Sequence, residues 1–207
     1  MSQFFYVHPE NPQGRLMKQA AAMIKEGAVV VYPTDSGYAL GCHLGDKKAL
    51  ERICQIRHID MDHDFALVCR DLSELSEYAK VDNTAFRLMK NNTPGAYTFI
   101  FKATKEVPRR LMNPKKKTIG IRIPDNAIAQ ALLEELGEPL MSTTLIMPGE
   151  AMAEYDPEHI RDILEKRVDL ILNGGYLGEH PTTVIDFSEG EVEVLRVGEG
   201  DAEPFSS

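Results

Sequence analysis

Three features of the sequence predict an α/β protein: a twisted, mixed β-sheet with helices packed on it. Short apolar runs alternate with amphipathic stretches of helical period over most of the 207 residues. Capping residues precede the amphipathic stretches, and Gly or a change of pattern follows them. Toward the C-terminus the helical stretches give way to closely spaced strands, which predicts a sheet of mixed direction.

Asn11-Pro12 reads as an N-cap and first helical position, opening a helix from Gln13 to Glu26 that Gly27 ends. Ala28 to Tyr32 is then a buried strand, and Pro33 to Gly41 reads as the turn that follows it. Asp46 caps a helix to Ile56, with Leu50, Ile53, Cys54 and Ile56 on one face. Phe65 to Cys69 is a short strand, and Asp71 and Asp82 cap helices ending near Ala79 and Lys90. Strands follow at Tyr97–Phe101 and Thr118–Ile123, then a helix from Asn126 to Leu136 stopped by Gly137. Pro139–Thr144 is a strand, Pro157 opens a helix to about Lys166, and strands are predicted at Val168–Leu172, Thr182–Phe187 and Val192–Val197. The pattern predicts one domain over 1–207, with a core from about 15 to 200 and a frayed tail at 201–207.

Hydrophobic residues make up 43% and charged residues 27%, the balance of a soluble globular protein. No apolar run has the length of a membrane span, so no membrane partner is expected. The first residues lack a basic region and an apolar signal core, which predicts a cytoplasmic protein. Cys42, Cys54 and Cys69 have no C-x-x-C spacing and are expected to pack as small hydrophobes. The net charge of −9 argues against a constitutive nucleic-acid binder, yet cations are concentrated from Lys102 to Lys117. Lys105, Arg109, Arg110, Lys115, Lys116 and Lys117 form either a solvated loop or a polyanion-facing patch.

P-loop, Rossmann glycine, nucleophile-elbow and zincin motifs are all absent, so any nucleotide site has another design. Thr34 and Ser36, among the glycines after the first strand, suit a ligand at a strand end. Arg57 ends its helix, where a cation also answers the helix dipole, and could clamp phosphate or carboxylate. The segment from His58 to Asp64 carries metal-ligand types but no partner cluster elsewhere, so a solvated loop and no metal site are predicted. Ser142-Thr143-Thr144 and Thr182-Thr183 end two further strands in hydroxyls. With Arg57, Arg122 and Arg196 they form a donor-rich set lacking matching carboxylates, which suits an anion.

Five segments in order resemble the YrdC/YciO family, the fold of threonylcarbamoyl-AMP synthases, and most nearly its YciO branch. They are Pro33-Thr34-Asp35…Tyr38…Leu40-Gly41, Thr93-Pro94-Gly95…Thr98, Thr118…Arg122…Pro124, Ser142-Thr143-Thr144 and Thr182-Thr183-Val184…Arg196-x-Gly198. The resemblance implies a sheet with a deep concave cleft that binds ATP and threonine. It also implies a nucleotidyltransferase that converts threonine, bicarbonate and ATP into threonylcarbamoyl-AMP and pyrophosphate for tRNA modification. ATP would enter as substrate with Mg²⁺, with no tightly bound cofactor. By the same resemblance Thr34, Tyr38, Cys69, Arg122, Ser142 and Thr182 would border threonine. Arg57, Thr118, Thr144 and Arg196 would border the nucleotide, with Arg57 as the catalytic cation.

The chain departs from the family's Lys-x-Arg and Ser-x-Asn elements. Gln55-Ile56-Arg57 lacks the lysine, Thr144-Leu145-Ile146 has an apolar side chain for the amide, and Cys69 stands where many members carry histidine. Weak or altered activity is therefore predicted. The alternative is a non-catalytic module that binds double-stranded RNA, tRNA or the ribosome through the basic run.

Overall fold

The computed structural model describes every residue except Asp64, Glu179 and Ser207. In chain order the strands and helices are β1 (Gln3–Tyr6), α1 (Gly14–Lys25), β2 (Val30–Thr34), β3 (Gly37–His43), α2 (Lys47–Arg57), β4 (Ala66–Val68), α3 (Leu72–Tyr78) and α4 (Asn83–Asn92). They continue with β5 (Tyr97–Lys102), β6 (Thr118–Arg122), α5 (Ala127–Leu136), β7 (Leu140–Thr144), α6 (Pro157–Leu164), β8 (Leu170–Asn173), β9 (Thr183–Asp186) and β10 (Glu193–Arg196). The strands form one ten-stranded sheet in the order β1-β8-β2-β3-β7-β4-β6-β5-β9-β10. Parallel and antiparallel pairs are mixed along it, as predicted.

Local chemistry sets the helix ends. The carboxylates of Asp46, Asp71, Asp82 and Asp156 and the amide oxygen of Asn126 accept from free backbone N–H groups of the first turns. Gly137 closes α5 at φ 73°, a left-handed conformation that favours glycine. Helix α1 starts later than expected and without a side-chain cap. Gln13 instead turns back toward β1, accepting from the His8 N–H and donating to the Tyr6 carbonyl.

Alternation along the strands divides the interior into two layers. Val31, Leu40, Leu67, Phe99, Ile121 and Met141 join a core covered by α2, α3, α4 and α6. Val30, Tyr32, Ala39, Val68, Leu140 and Leu170 face the other way, under α1 and α5. Among the described residues this second core takes nothing from β5, β6, β9 or β10. Helices thus cover one face of the sheet more completely than the other, which opens the cleft.

Two strands were not anticipated. β1 pairs in parallel with β8 at the sheet edge. The stretch read as a turn is mostly β3, hairpinned on β2 with only Asp35 and Ser36 at the tip. Its glycines serve packing: a Cβ at Gly41 would stand 2.9 Å from the Tyr32 ring, and Gly37 has φ 100°. The tail expected to fray is also tied down. Residues 203–205 form a 3-10 turn, and Phe205 is buried against the rings of Tyr97, Phe99 and Phe187.

Phe205→Ala should therefore lower the unfolding free energy by about 3 kcal/mol, the scale of an emptied aromatic site. A thermal melt indistinguishable from that of the unmodified protein would show that the tail is not anchored.

Candidate active site

The site is organised by the tip of the β2–β3 hairpin. The Thr34 hydroxyl donates to the Gly37 carbonyl at 2.6 Å and accepts from the Ser36 N–H at 3.0 Å, closing the turn. Asp35 and Ser36 then meet Arg122 at the end of β6. One guanidinium nitrogen (Nη2) donates to Asp35 Oδ1 at 2.9 Å and to Ser36 Oγ at 2.8 Å. Asp35 Oδ2 accepts from the Asp125 N–H at 2.7 Å. Arg122 is 5% exposed, and its Nε is buried with no hydrogen-bond partner among the described residues. The donor set thus contains a carboxylate after all. Asp35, between two predicted site hydroxyls, neutralises one of the three arginines.

Several predicted residues have their polar atoms committed to the fold. Tyr38 donates to the Gly175 carbonyl at 2.7 Å and accepts from the Gly174 N–H at 3.1 Å, pinning the loop after β8 to the hairpin. Ser142 donates to the Leu40 carbonyl and shares a 2.7 Å hydrogen bond with the Tyr32 hydroxyl. Burial pushes both tyrosines up to about 12. Cys42, Cys54 and Cys69 are all buried free thiols, and burial pushes Cys69 well above the ordinary thiol range.

Two cavities open where the second face lacks helices. The first, of about 210 Å³, is bordered by Ser36, Thr144, Ile146, Ala153, Thr182 and Arg196. Arg196 donates to the Thr182 carbonyl and hydroxyl, both at 3.0 Å. Gly198 lets the backbones meet there, since a Cβ would collide with the carbonyls of Pro181 and Thr182. The second cavity, of about 220 Å³, includes Thr98, Thr118, Gly120 and Asp186 in its wall. Thr98 and Thr182, one from each cavity, share a hydrogen bond of 2.8 Å.

Arg57 lies behind the first cavity, not in its wall. It donates to Thr143 Oγ1 at 2.6 Å and to the Ile146 carbonyl at 3.1 Å, and burial lowers its pKa. Gln55, two residues earlier on α2, is exposed. Two residues turn a helix by about 200°, so position 55 faces away from Arg57. Gln55 therefore stands apart from the site.

The basic run builds a groove of about 1060 Å³. Lys105, Arg109, Lys116 and Lys117 border it together with Lys80 and Lys102, and no acidic residue among the described ones does. Arg110 and Lys115 do not line it, and Lys80 was not anticipated. Asn113 and Lys116 are shared with the second cavity. Among the described residues no His, Cys, Asp and Glu side chains gather in a group of three fit for a metal ion, although Asp64 of the His58–Asp64 segment lies outside them. No helix among them is long and apolar enough to cross a membrane.

A family model for Sua5, YciO and YrdC, described as "Telomere recombination", matches residues 22–198. The chain belongs to this family. The Escherichia coli (strain K12) protein YciO is 64% identical over 205 residues, which are 99% of this chain and all of that protein. Its crystal structure superposes with a TM-score of 0.95 over both whole chains. A threonylcarbamoyl-AMP synthase of Vibrio vulnificus is 27% identical over 88% of this chain and 98% of its own. The structure of P. abyssi Sua5 complexed with L-threonine is 26% identical, with a TM-score of 0.87 over 95% of this chain and 58% of that one.

Asp35 and Arg122 form the most buried ion pair of the site, with side-chain exposures of 12% and 6%. Asp35→Ala should cost about 3 kcal/mol in urea unfolding, because a buried guanidinium loses its counter-charge. Adding Arg122→Met should recover part of that loss; strictly additive losses would show the two groups to be uncoupled.

Proposed function

We propose that the chain binds ATP and threonine in this cleft and carries out slow threonylcarbamoyl-AMP chemistry in the cytoplasm. The observation that carries the proposal is Arg122, a buried guanidinium with an unused Nε donor beside the Thr34–Ser36 turn. A substrate carboxylate such as that of threonine is a natural partner for it. The nucleotide occupies the paired cavities on this reading, with Arg196 and the hydroxyls of Thr144 and Thr118 along its course.

The carbamate oxygen of N-carboxythreonine attacks the α-phosphorus, and the P–O bond to pyrophosphate breaks. The chain contributes orientation and positive charge to this step. Among the described residues, hydroxyls and a guanidinium border the first cavity, without a carboxylate. The residues there do not make a magnesium site of their own, so Mg²⁺ would be held by the triphosphate. Ile146 puts an apolar side chain in the cavity wall where a donor would strengthen the phosphate grip, which makes the turnover slow.

Purified protein with ATP, threonine, bicarbonate and Mg²⁺ should form threonylcarbamoyl-AMP slowly, and Arg57→Ala should abolish the product. Ile146→Asn should raise the rate, whereas Gln55→Lys alone should leave it nearly unchanged because it faces away from Arg57. No product from the unmodified chain or from Ile146→Asn would exclude the synthase reading.

A second reading is favoured by the groove, where six cations and no acid gather among the described residues. A double-stranded RNA or tRNA backbone suits such a surface. Replacing Lys102, Lys116 and Lys117 by Ala should weaken RNA binding and reduce the slope of log K against log salt by about 2 to 3. An unchanged slope would remove RNA from this groove.

A further inference from the structure

The second cavity holds an acidic group that the chemistry above does not use. Asp186 ends β9 and is 8% exposed, yet among the described residues no cation lies within ion-pair distance of it. Its Oδ1 accepts two hydrogen bonds, from the Ser188 N–H at 2.8 Å and the Ser188 hydroxyl at 2.6 Å. Its Oδ2 accepts none among the described residues. The free oxygen is not sealed in the interior but belongs to a residue of the cavity wall, where a donor on a bound molecule can reach it.

The sheet places this carboxylate beside a prepared floor. Asp186 pairs with Ile100, Ile100 with Gly120, and Gly120 with Ala66, so the four stand in a row across β9, β5, β6 and β4. Directly paired residues share a face, and here the two smallest of them leave room above the sheet. Among the residues bordering the cavity are Leu195, an apolar wall, and Thr98, whose hydroxyl bond to Thr182 leads into the first cavity beside Arg196. A phosphate chain near Arg196 would bring the nucleoside over Ile100 and Gly120, with its polar edge toward Asp186.

We infer that Asp186, held by Ser188, is a specificity-determining residue that accepts a hydrogen bond from a donor on the nucleoside. This rests on the nucleotide reading of the cleft. The donor is a ribose hydroxyl or an exocyclic base amine, and either satisfies the same bare oxygen. Deoxynucleotides and bases with a carbonyl in place of the amine are disfavoured accordingly.

The test is calorimetric titration of the full chain with ATP, 2′-deoxy-ATP, 3′-deoxy-ATP and inosine triphosphate. The unmodified protein should bind at least one of the three analogues on the order of tenfold or more weakly than ATP, the scale of one hydrogen bond to a charged group. A weakened deoxynucleotide identifies the ribose as donor, and weakened inosine triphosphate identifies the base amine. Asp186→Asn keeps an oxygen for Ser188 but turns an N–H₂ toward the ligand, and it should erase the preference while its melting curve stays that of a folded protein. Equal affinity of the unmodified protein for all four nucleotides, or an unchanged preference in folded Asp186→Asn, overturns the assignment and leaves the nucleotide reading standing. Failure of the unmodified protein to bind any of the four overturns both. Should Asp186→Asn not fold, the preferences of the unmodified protein decide.

Discussion

A wide sheet has two faces to bury, and the helices of this chain cover one more completely than the other. Helices α2, α3, α4 and α6 pack on the first face, while α1 and α5 share the second core with β8, β2, β3, β7 and β4. Part of the bare area is built from residues with little apolar surface. Ala66, Thr98, Thr118 and Gly120 are small or carry hydroxyls, so the hydrophobic cost of leaving them uncovered is modest. The cavities and the site hydroxyls follow from that incomplete cover.

Charge is distributed in keeping with this plan. Arg122 is buried where the hairpin tip meets β6, and Asp35 offsets the desolvation of its guanidinium. The pair joins segments 87 residues apart and orders the tip that carries Thr34 and Ser36. Arg196, by contrast, bonds only to a carbonyl and a hydroxyl among the described residues, and so keeps its full positive charge for an anion. The basic groove adds a field along one end of the cleft in a chain of net charge −9.

Much of the fold was legible because its signals are local. Asp46, Asp71, Asp82 and Asn126 cap helices by bonding within three residues, and Gly137 ends α5 through its own backbone. β3 was not legible, because Gly37 and Gly41 resemble turn residues and their reason is the long-range approach of Ala153 and Tyr32. β1 was missed because only pairing with β8 makes that short edge segment a strand. Within the site, the hydroxyls and arginines could be picked out by residue type. Which of them are spent on the fold could not, since Tyr38 meets Gly175 and Arg122 meets Asp35 only through tertiary structure. Lys80 reaches the groove from a distant segment, while Arg110 and Lys115 turn out of its wall. Asp186 looked like one of many acidic residues near the C-terminus, and only its burial distinguishes it.

The central claim is that the uncovered part of the second face is the ligand site. Backbone amide chemical-shift mapping during titration with ATP and threonine tests it most directly. Perturbations should concentrate at Ser36, Thr98, Thr118, Gly120, Thr144 and Arg196, with α3, α4 and α6 unmoved. Perturbations centred on those three helices, or none at saturating ligand, would contradict the account.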